Sequence, residues 1–194
     1  MKALALALLL AVNLGRFQDW AESPQGYFMT KDERAAWSKL SSEGEAEAFV
    51  KNFIASRGPR FTEDVASLAA DADRYLTVAG KKGSATMRGK IAIVLGRPTS
   101  MTIRPWAGDK SATMATHIYD GILDPKPAMN LPPSAERTSD LRQRYSTDYK
   151  LTYPKRTIVV AVDPITGQDR ILDARAAREV NALLEAAAEA SRRP

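Results

Sequence analysis

The sequence predicts an α+β domain, with a helical N-terminal half packed on a small, mainly antiparallel sheet and a C-terminal helix covering it. Residues 30–80 carry apolar side chains at spacings of three and four, which is typical of helices that face a core. Residues 91–172 contain short apolar runs bounded by glycine and proline, which favour strands. Residues 173–194 return to helical spacing. The 194 residues suit one domain preceded by a targeting segment.

A signal-like segment occupies residues 1–15. Lys2 is followed by an uninterrupted apolar run from Ala3 to Val12, which matches the apolar core of a secretory signal and is too short to cross a bilayer. Cleavage after Gly15 would place Asn13 where a small residue is preferred, so the cleavage site stays open. We predict export to the periplasm or the extracellular space, with an uncleaved leader as a possible tether. The alternative is a buried or amphipathic N-terminal helix.

Two capping boxes predict helix starts within the next segment, residues 16–104. Thr30 stands three residues before Glu33, and Ser42 stands three residues before Glu45. The glycine and proline at positions 58 and 59 are expected to end the second helix. That helix is predicted to face the core with Ala46, Phe49, Val50, Phe53 and Ile54.

A third helix is predicted to begin at the cap residue Thr62 and to end at Gly80. Spacings of three and four place one set of its residues on the face toward the core. The residues predicted to face inward are Val65, Leu68, Ala72, Tyr75 and Ala79.

The stretch KKGSATMRGKIAIVLGRP, residues 81–98, is predicted to lead into a central strand at residues 91–95, with residues 100–104 as its partner. It does not match a phosphate-binding P-loop, which needs four residues between its glycines and a hydroxyl residue after the lysine. Gly83 and Gly89 enclose five residues, and Lys90 is followed by isoleucine. We therefore expect the two glycines to permit close backbone contact and Arg88 and Lys90 to be solvated or paired with carboxylates.

The remainder is expected to complete the same domain. Residues 105–150 lack periodicity and are predicted to be a long loop or insertion. Residues 151–194 are predicted to form a β-hairpin, within residues 157–172, followed by a helix that Asp173 caps.

Composition excludes several kinds of chemistry. The chain has no cysteine, so disulfides, thiolate metal sites and cysteine nucleophiles are ruled out. The single histidine, His117, lies in MATHIYDGI without the motif of a serine hydrolase, and one histidine cannot build a zinc site alone. We therefore predict no cofactor and no metal, and we favour a non-enzymatic role.

Basic residues crowd the middle of the chain, which has a net charge of +5. They could converge on an anionic surface or an acidic partner, although a solvated basic face is the simpler interpretation. Nucleic-acid binding is disfavoured because the interleaved aromatic residues of a single-strand platform are absent. The candidate binding residues are Arg57, Arg60, Lys82, Arg88, Lys90 and Arg97.

Five stretches follow one another between residues 20 and 98: DWAESP, YFMTKDER, FVKNFIASRGP, DRYL and GSATMRGKIAIVLGRP. Their order and spacing resemble the GWxTD domain, a bacterial family of largely uncharacterised, often exported proteins. The residues to which the resemblance gives structural roles are Trp20, Tyr27, Glu33, Arg34, Pro59, Gly83, Thr86, Gly89, Gly96 and Pro98.

The chain departs from the family pattern at three positions. Ser84 stands where the family has tryptophan, Met87 where it has aspartate, and Gly58 where an aspartate separates arginine from proline. The resemblance implies an exported domain and supplies no catalytic residue.

The function predicted from the sequence is a non-enzymatic interaction or assembly module of the bacterial envelope, with a protein partner. Its expected working surface is a basic patch around Arg57, Arg88 and Arg97. The alternative is a hydrolase or transferase that uses aspartate, threonine and arginine residues near the 83–98 loop.

Overall fold

The computed structural model describes residues 14–105, 141–142 and 144–192, and within these ranges the α+β fold class is confirmed. Five α-helices are described: α1 (Lys31–Trp37), α2 (Glu43–Ala55), α3 (Phe61–Leu76), α4 (Met87–Val94) and α5 (Ala174–Ser191). The strands are β1 (Ser100–Pro105), β2 (Thr147–Tyr153), β3 (Arg156–Val162) and β4 (Asp169–Arg170), and they form one antiparallel sheet in the order β1-β2-β3-β4.

The helix starts follow the sequence signals closely at α1, α2 and α5. Both capping boxes form, at Thr30 with Glu33 and at Ser42 with Glu45, and the Asp173 carboxylate accepts a hydrogen bond from the N–H of Ala176. These side chains satisfy backbone donors that have no partner within the helix.

The third helix differs from its prediction at both ends. It begins at Phe61, with Arg60 at the N-cap, so Thr62 is not the cap. It ends at Leu76 instead of Gly80, which leaves Ala79 in a turn with φ +51°. Tyr75, predicted to face the core, is 53% exposed, and Leu76 is the buried residue there.

The prediction of a central strand at residues 91–95 is wrong. Residues 87–94 form α4, which is buried along most of its length, and β1 pairs with β2 instead. A five-residue apolar run does not distinguish a strand from a buried helix. Thr86 caps the N-terminus of α4, and Gly96, with φ +82°, follows its C-terminal end.

The C-terminal segment agrees with its prediction, except at one boundary. The hairpin of β3 and β4 and the final helix are present. Strand β2 already begins at Thr147, so the last residues of the predicted 105–150 loop belong to the sheet. Residues 106–140, which include His117, and residue 143 lie outside the described residues, as do the leader residues 1–13.

One core joins the helices to the sheet. Trp20 packs on Trp37 and Phe53, with ring centroids 5.1 and 5.0 Å apart, and Phe28 packs edge-on against Phe61 at 5.3 Å. The sheet contributes one face to the same cluster, and α4 contacts α3, α5 and β4. The buried sheet residues are Tyr149, Leu151, Ile158, Val160 and Val162.

Candidate functional site

Arg57, at the C-terminal end of α2, lies inside the protein with its side chain 0% exposed. Its two terminal nitrogens donate to the Glu33 carboxylate at 3.2 and 2.7 Å, and the second also donates to the carbonyl of Phe28 at 2.8 Å. The guanidinium lies 3.4 Å from the Phe53 ring centroid, and its Nε donates to Ser191 at 3.2 Å. This fork-to-carboxylate pair joins α1, α2 and the end of α5.

Arg88, in the first turn of α4, is also completely buried. Its guanidinium pairs with the Asp169 carboxylate and donates twice to the carbonyl of Leu76, at 3.0 and 2.7 Å. Burial lowers the pKa of the Arg88 guanidinium below its ordinary value, although an arginine stays protonated at any physiological pH. The pair ties α4 to the end of α3 and to β4.

Each of the two loop glycines makes a close backbone contact, as expected from the sequence, and one of these contacts joins the two glycines. A Cβ added at Gly89 would lie 1.8 Å from the carbonyl oxygen of Gly83, and one added at Gly83 would lie 1.9 Å from that of Ala72. The Thr86 hydroxyl donates to the Gly83 carbonyl at 2.7 Å and accepts from the Gly89 N–H at 3.1 Å. The loop is therefore held by its own backbone and by one buried hydroxyl.

The loop precedes a helix, so α4 offers an N-terminus that the strand prediction did not include. That N-terminus already has an anion on it, because the N–H of Arg88 donates to Asp169 at 2.7 Å. A carboxylate from β4 thus occupies the position in which a phosphate would be held. Thr86 and Arg88, which are among the threonine and arginine residues of the 83–98 loop, are both engaged in these structural bonds.

The six candidate binding residues do not form one surface patch. Arg57 and Arg88 are buried in ion pairs, which corrects the prediction that they belong to a basic binding surface; for Arg88, pairing with a carboxylate was the alternative expected from the sequence. Arg97 is exposed and its Nε donates to Asp71 at 2.6 Å. Two others, Arg60 and Lys82, are exposed, and the last one, Lys90, is half-buried.

The residues of the GWxTD-like motifs have structural contacts. The hydroxyl of Tyr27 donates to the Ser84 carbonyl at 2.9 Å, and the guanidinium of Arg34 donates to the Gly26 carbonyl at 3.3 Å. Pro59 is exposed between α2 and α3. Met87, where the family has aspartate, is 42% exposed at the first position of α4.

An apolar groove of about 360 Å³ lies between α3, α4 and the start of the sheet. Its rim carries the Asp71–Arg97 ion pair, and β1 runs along one side. Within the described ranges, β1 pairs only with β2, so its other edge has no strand partner. The residues that line the groove include Leu68, Tyr75, Ala92, Arg97, Pro98 and Met101.

Sequence reasoning missed the groove because α3, α4 and β1 form it together with Leu151 of β2, which is distant from them in the chain. Tyr75 was assigned to the core by helical spacing, yet it stands beside an opening in the surface. A large aromatic residue next to the buried Leu76 was the one available signal, and it does not by itself distinguish a core position from a groove wall.

The comparisons with known proteins do not assign this chain to a family. No protein-family model, no curated protein and no solved structure matches this chain. The resemblance to the GWxTD domain therefore stays a prediction.

Neither a membrane-spanning helix nor a group of metal ligands is present in the described ranges. None of the helices there has the length and apolar character needed to span a membrane. In the same part of the chain, no three histidine, cysteine, aspartate or glutamate residues are grouped as metal ligands would be.

Proposed function

We propose that this chain is an exported interaction or assembly module of the bacterial envelope. Its docking surface is the groove between α3, α4 and β1, which receives an extended segment of a partner protein. The observation that carries the proposal is an apolar groove that Met101 of β1 and Leu151 of β2 help to line, together with a second edge of β1 that has no strand partner among the described residues. Such an edge supplies main-chain hydrogen bonds, and a neighbouring pocket selects side chains.

The charges around the groove favour a segment with acidic residues beside its apolar ones. Arg74 lies over the ring of Tyr75 at 5.2 Å, and Arg104 is exposed on β1. Neither makes an ion pair with any described residue. Asp71, an acidic residue in the lining, is already paired with Arg97. A partner that places carboxylates near these arginines would gain complementary charge, mainly as specificity and association rate.

The proposal is tested with a displayed library of random linear peptides selected on the full chain. We expect selected peptides to alternate apolar and other residues, to be rich in aspartate and glutamate, and to bind more weakly as salt is raised. Methylating the backbone nitrogens of a selected peptide one at a time should weaken binding at every second position, because only alternate N–H groups face β1.

Tyr75→Asp is the test variant, since it places a charge in the groove at an exposed position that leaves the core intact. Ile165→Asp is the matched control, because Ile165 is 85% exposed on the turn between β3 and β4. We expect the peptides to bind Ile165→Asp normally and Tyr75→Asp at least about tenfold more weakly, which corresponds to about 1.4 kcal/mol. Equal binding to the wild type and to Tyr75→Asp would refute the groove as the docking surface.

Export is supported by the apolar run from Ala3 to Val12. The full chain expressed in a bacterial host should be found in the periplasm or the medium, and deletion of residues 2–12 should retain it in the cytoplasm. Cytoplasmic retention of the full chain would contradict this part of the proposal and leave the groove experiment unaffected.

A further inference from the structure

Lys90 differs from the two buried arginines because it makes no ion pair with a carboxylate among the described residues. It lies on the second turn of α4, half-buried, with its ammonium nitrogen 5.2 Å from the centroid of the Tyr27 ring. Among the described residues, its ammonium makes no hydrogen bond and no ion pair. The cation therefore has the aromatic face as its main favourable contact.

A second cation, Arg34, approaches the same place from α1. It is half-buried, and one terminal nitrogen donates to the Gly26 carbonyl at 3.3 Å. Within the described part of the chain, its remaining donors have no acceptor. Gly26 and Tyr27 are consecutive, so Arg34 at the Gly26 carbonyl and Lys90 over the Tyr27 ring contact neighbouring residues.

Burial and nearby charges shift the pKa values of both Lys90 and Tyr27. Burial first, and then the charge of Arg34, lower the pKa of the Lys90 ammonium, while the exposed Glu22 acts in the opposite direction. Burial also raises the pKa of the Tyr27 hydroxyl, with smaller contributions from Glu22 and Asp73. Two cations that repel each other are thus held together in a place that is partly removed from water.

We propose that Lys90 and Arg34 form a binding site for an oxyanion, a carboxylate or a phosphate, at the junction of α1, α4 and the turn Gly26–Phe28. The free donors of the Arg34 fork suit two oxygens of such a group, and the Lys90 ammonium supplies a point charge. The bound anion pairs with the two cations, as the Glu33 carboxylate pairs with Arg57 and the Asp169 carboxylate pairs with Arg88.

This site is independent of the groove proposed above. Lys90 and Ala92 are two residues apart on α4, a rotation of about 200°, which places them about 160° apart around the helix axis. Ala92 lines the groove, whereas Lys90 lies over Tyr27 on the other side. The two proposals can therefore fail separately.

The test is a titration of the full chain, labelled with ¹⁵N and ¹³C at lysine, with phosphate and separately with acetate at constant ionic strength maintained with chloride. We expect saturable shifts of the Lys90 side-chain signals and a rise in the pKa of its ammonium on binding, because an anion favours the charged form. Tighter binding of phosphate would identify a phosphate-bearing ligand, and tighter binding of acetate would identify the carboxylate of an acidic side chain or a small acid.

The variants Lys90→Met and Arg34→Met should each weaken binding at least about tenfold, a loss of about 1.4 kcal/mol. Lys51→Met is the matched control, since Lys51 is exposed on α2 and its loss changes the net charge equally. Lys90→Met should fold at least as stably as the wild type at neutral pH, because it removes a partly desolvated charge. Signals that keep shifting without saturation would overturn the proposal. Shifts at the other lysines that are equal in Lys90→Met and in the Lys51→Met control would also overturn it.

Discussion

Arg57 and Arg88 act as structural cations because each meets both a carboxylate and backbone carbonyls. Arg57 reaches Glu33 and the carbonyls of Phe28 and Phe53, and Arg88 reaches Asp169 and the carbonyl of Leu76. A charge removed from water is tolerated when its donors are used in this way. The two arginines therefore fix distant parts of the chain instead of binding an external partner.

Removing one member of the Arg88–Asp169 pair should destabilise the protein strongly. We expect Arg88→Met and Asp169→Asn each to reduce the free energy of unfolding by about 3–5 kcal/mol, because a buried charge or its acceptors lose their partner. Urea denaturation measures the change. Arg97→Met, which breaks an exposed pair, should stay within about 0.5 kcal/mol of the wild type. A loss below about 1 kcal/mol for Arg88→Met would show that the pair does not hold the fold.

At the scale of elements, α4 is an eight-residue helix surrounded by protein. Its buried residues include Ile91, Ala92, Ile93 and Val94, so it lacks the polar face that a surface helix carries. Such a short helix has little stability of its own and forms because its neighbours bury it. Gly89 permits the closest of these contacts, since the chain at Gly83 passes directly over it.

Two glycine substitutions should change the stability of the protein in opposite directions. Gly89→Ala places a Cβ 1.8 Å from the Gly83 carbonyl oxygen and should cost about 1–3 kcal/mol or more, because backbone must shift. Gly44→Ala meets nothing within 4 Å in the first turn of α2 and should stabilise by roughly 0.4–1 kcal/mol. Thermal unfolding of both variants checks the pair, and equal effects would contradict the packing at Gly89.

In the molecule as a whole, the Glu33–Arg57 pair connects α1 and the end of α2 to the C-terminal end of α5. Arg57 donates to Ser191 at the end of α5, and Arg192 lies 4.0 Å from Glu33. The Glu33 carboxylate thus contributes to joining the first α-helix to the end of the last one, and the exposed Lys31–Glu185 ion pair joins the same two helices. The ionisation of Glu33 therefore affects contacts between helices that are separated by more than a hundred residues.

The acid stability of the protein should therefore depend on Glu33. Burial opposes its ionisation, but the Arg57 donors, the Thr30 N–H and Arg192 outweigh that effect and hold the pKa of Glu33 below its ordinary value of 4.5. Its contribution to stability is complete above pH 4.5 and is lost as the pH falls through the lower folded-state pKa.

Denaturation of wild type and Glu33→Gln between about pH 3 and pH 7 tests this dependence. The difference in unfolding free energy should be largest at neutral pH and shrink as the solution becomes acidic. Glu63→Gln, at an exposed position in the first turn of α3, is the control and should show little change with pH. A Glu33→Gln difference that is constant with pH would contradict the coupling.

The fold class, the two capping boxes, the β3–β4 hairpin and the capped final helix could be predicted from the sequence. The capping boxes, the hairpin and the final helix depend on neighbours in the chain, through local hydrogen bonds, turn residues or hydrophobic period. The helical state of residues 91–94 depends on tertiary packing, because an apolar run of that length is compatible with either element until its surroundings are known.

The same distinction applies to the sites. Basic residues could be counted in the sequence, but their partners lie 24 positions away for Arg57 and 81 for Arg88. Burial beside a distant carboxylate made these two arginines structural, whereas Lys90 lies over the Tyr27 ring and makes no ion pair among the described residues. The groove likewise exists only where α3, α4 and β1 meet, since long-range packing is not encoded in any local pattern.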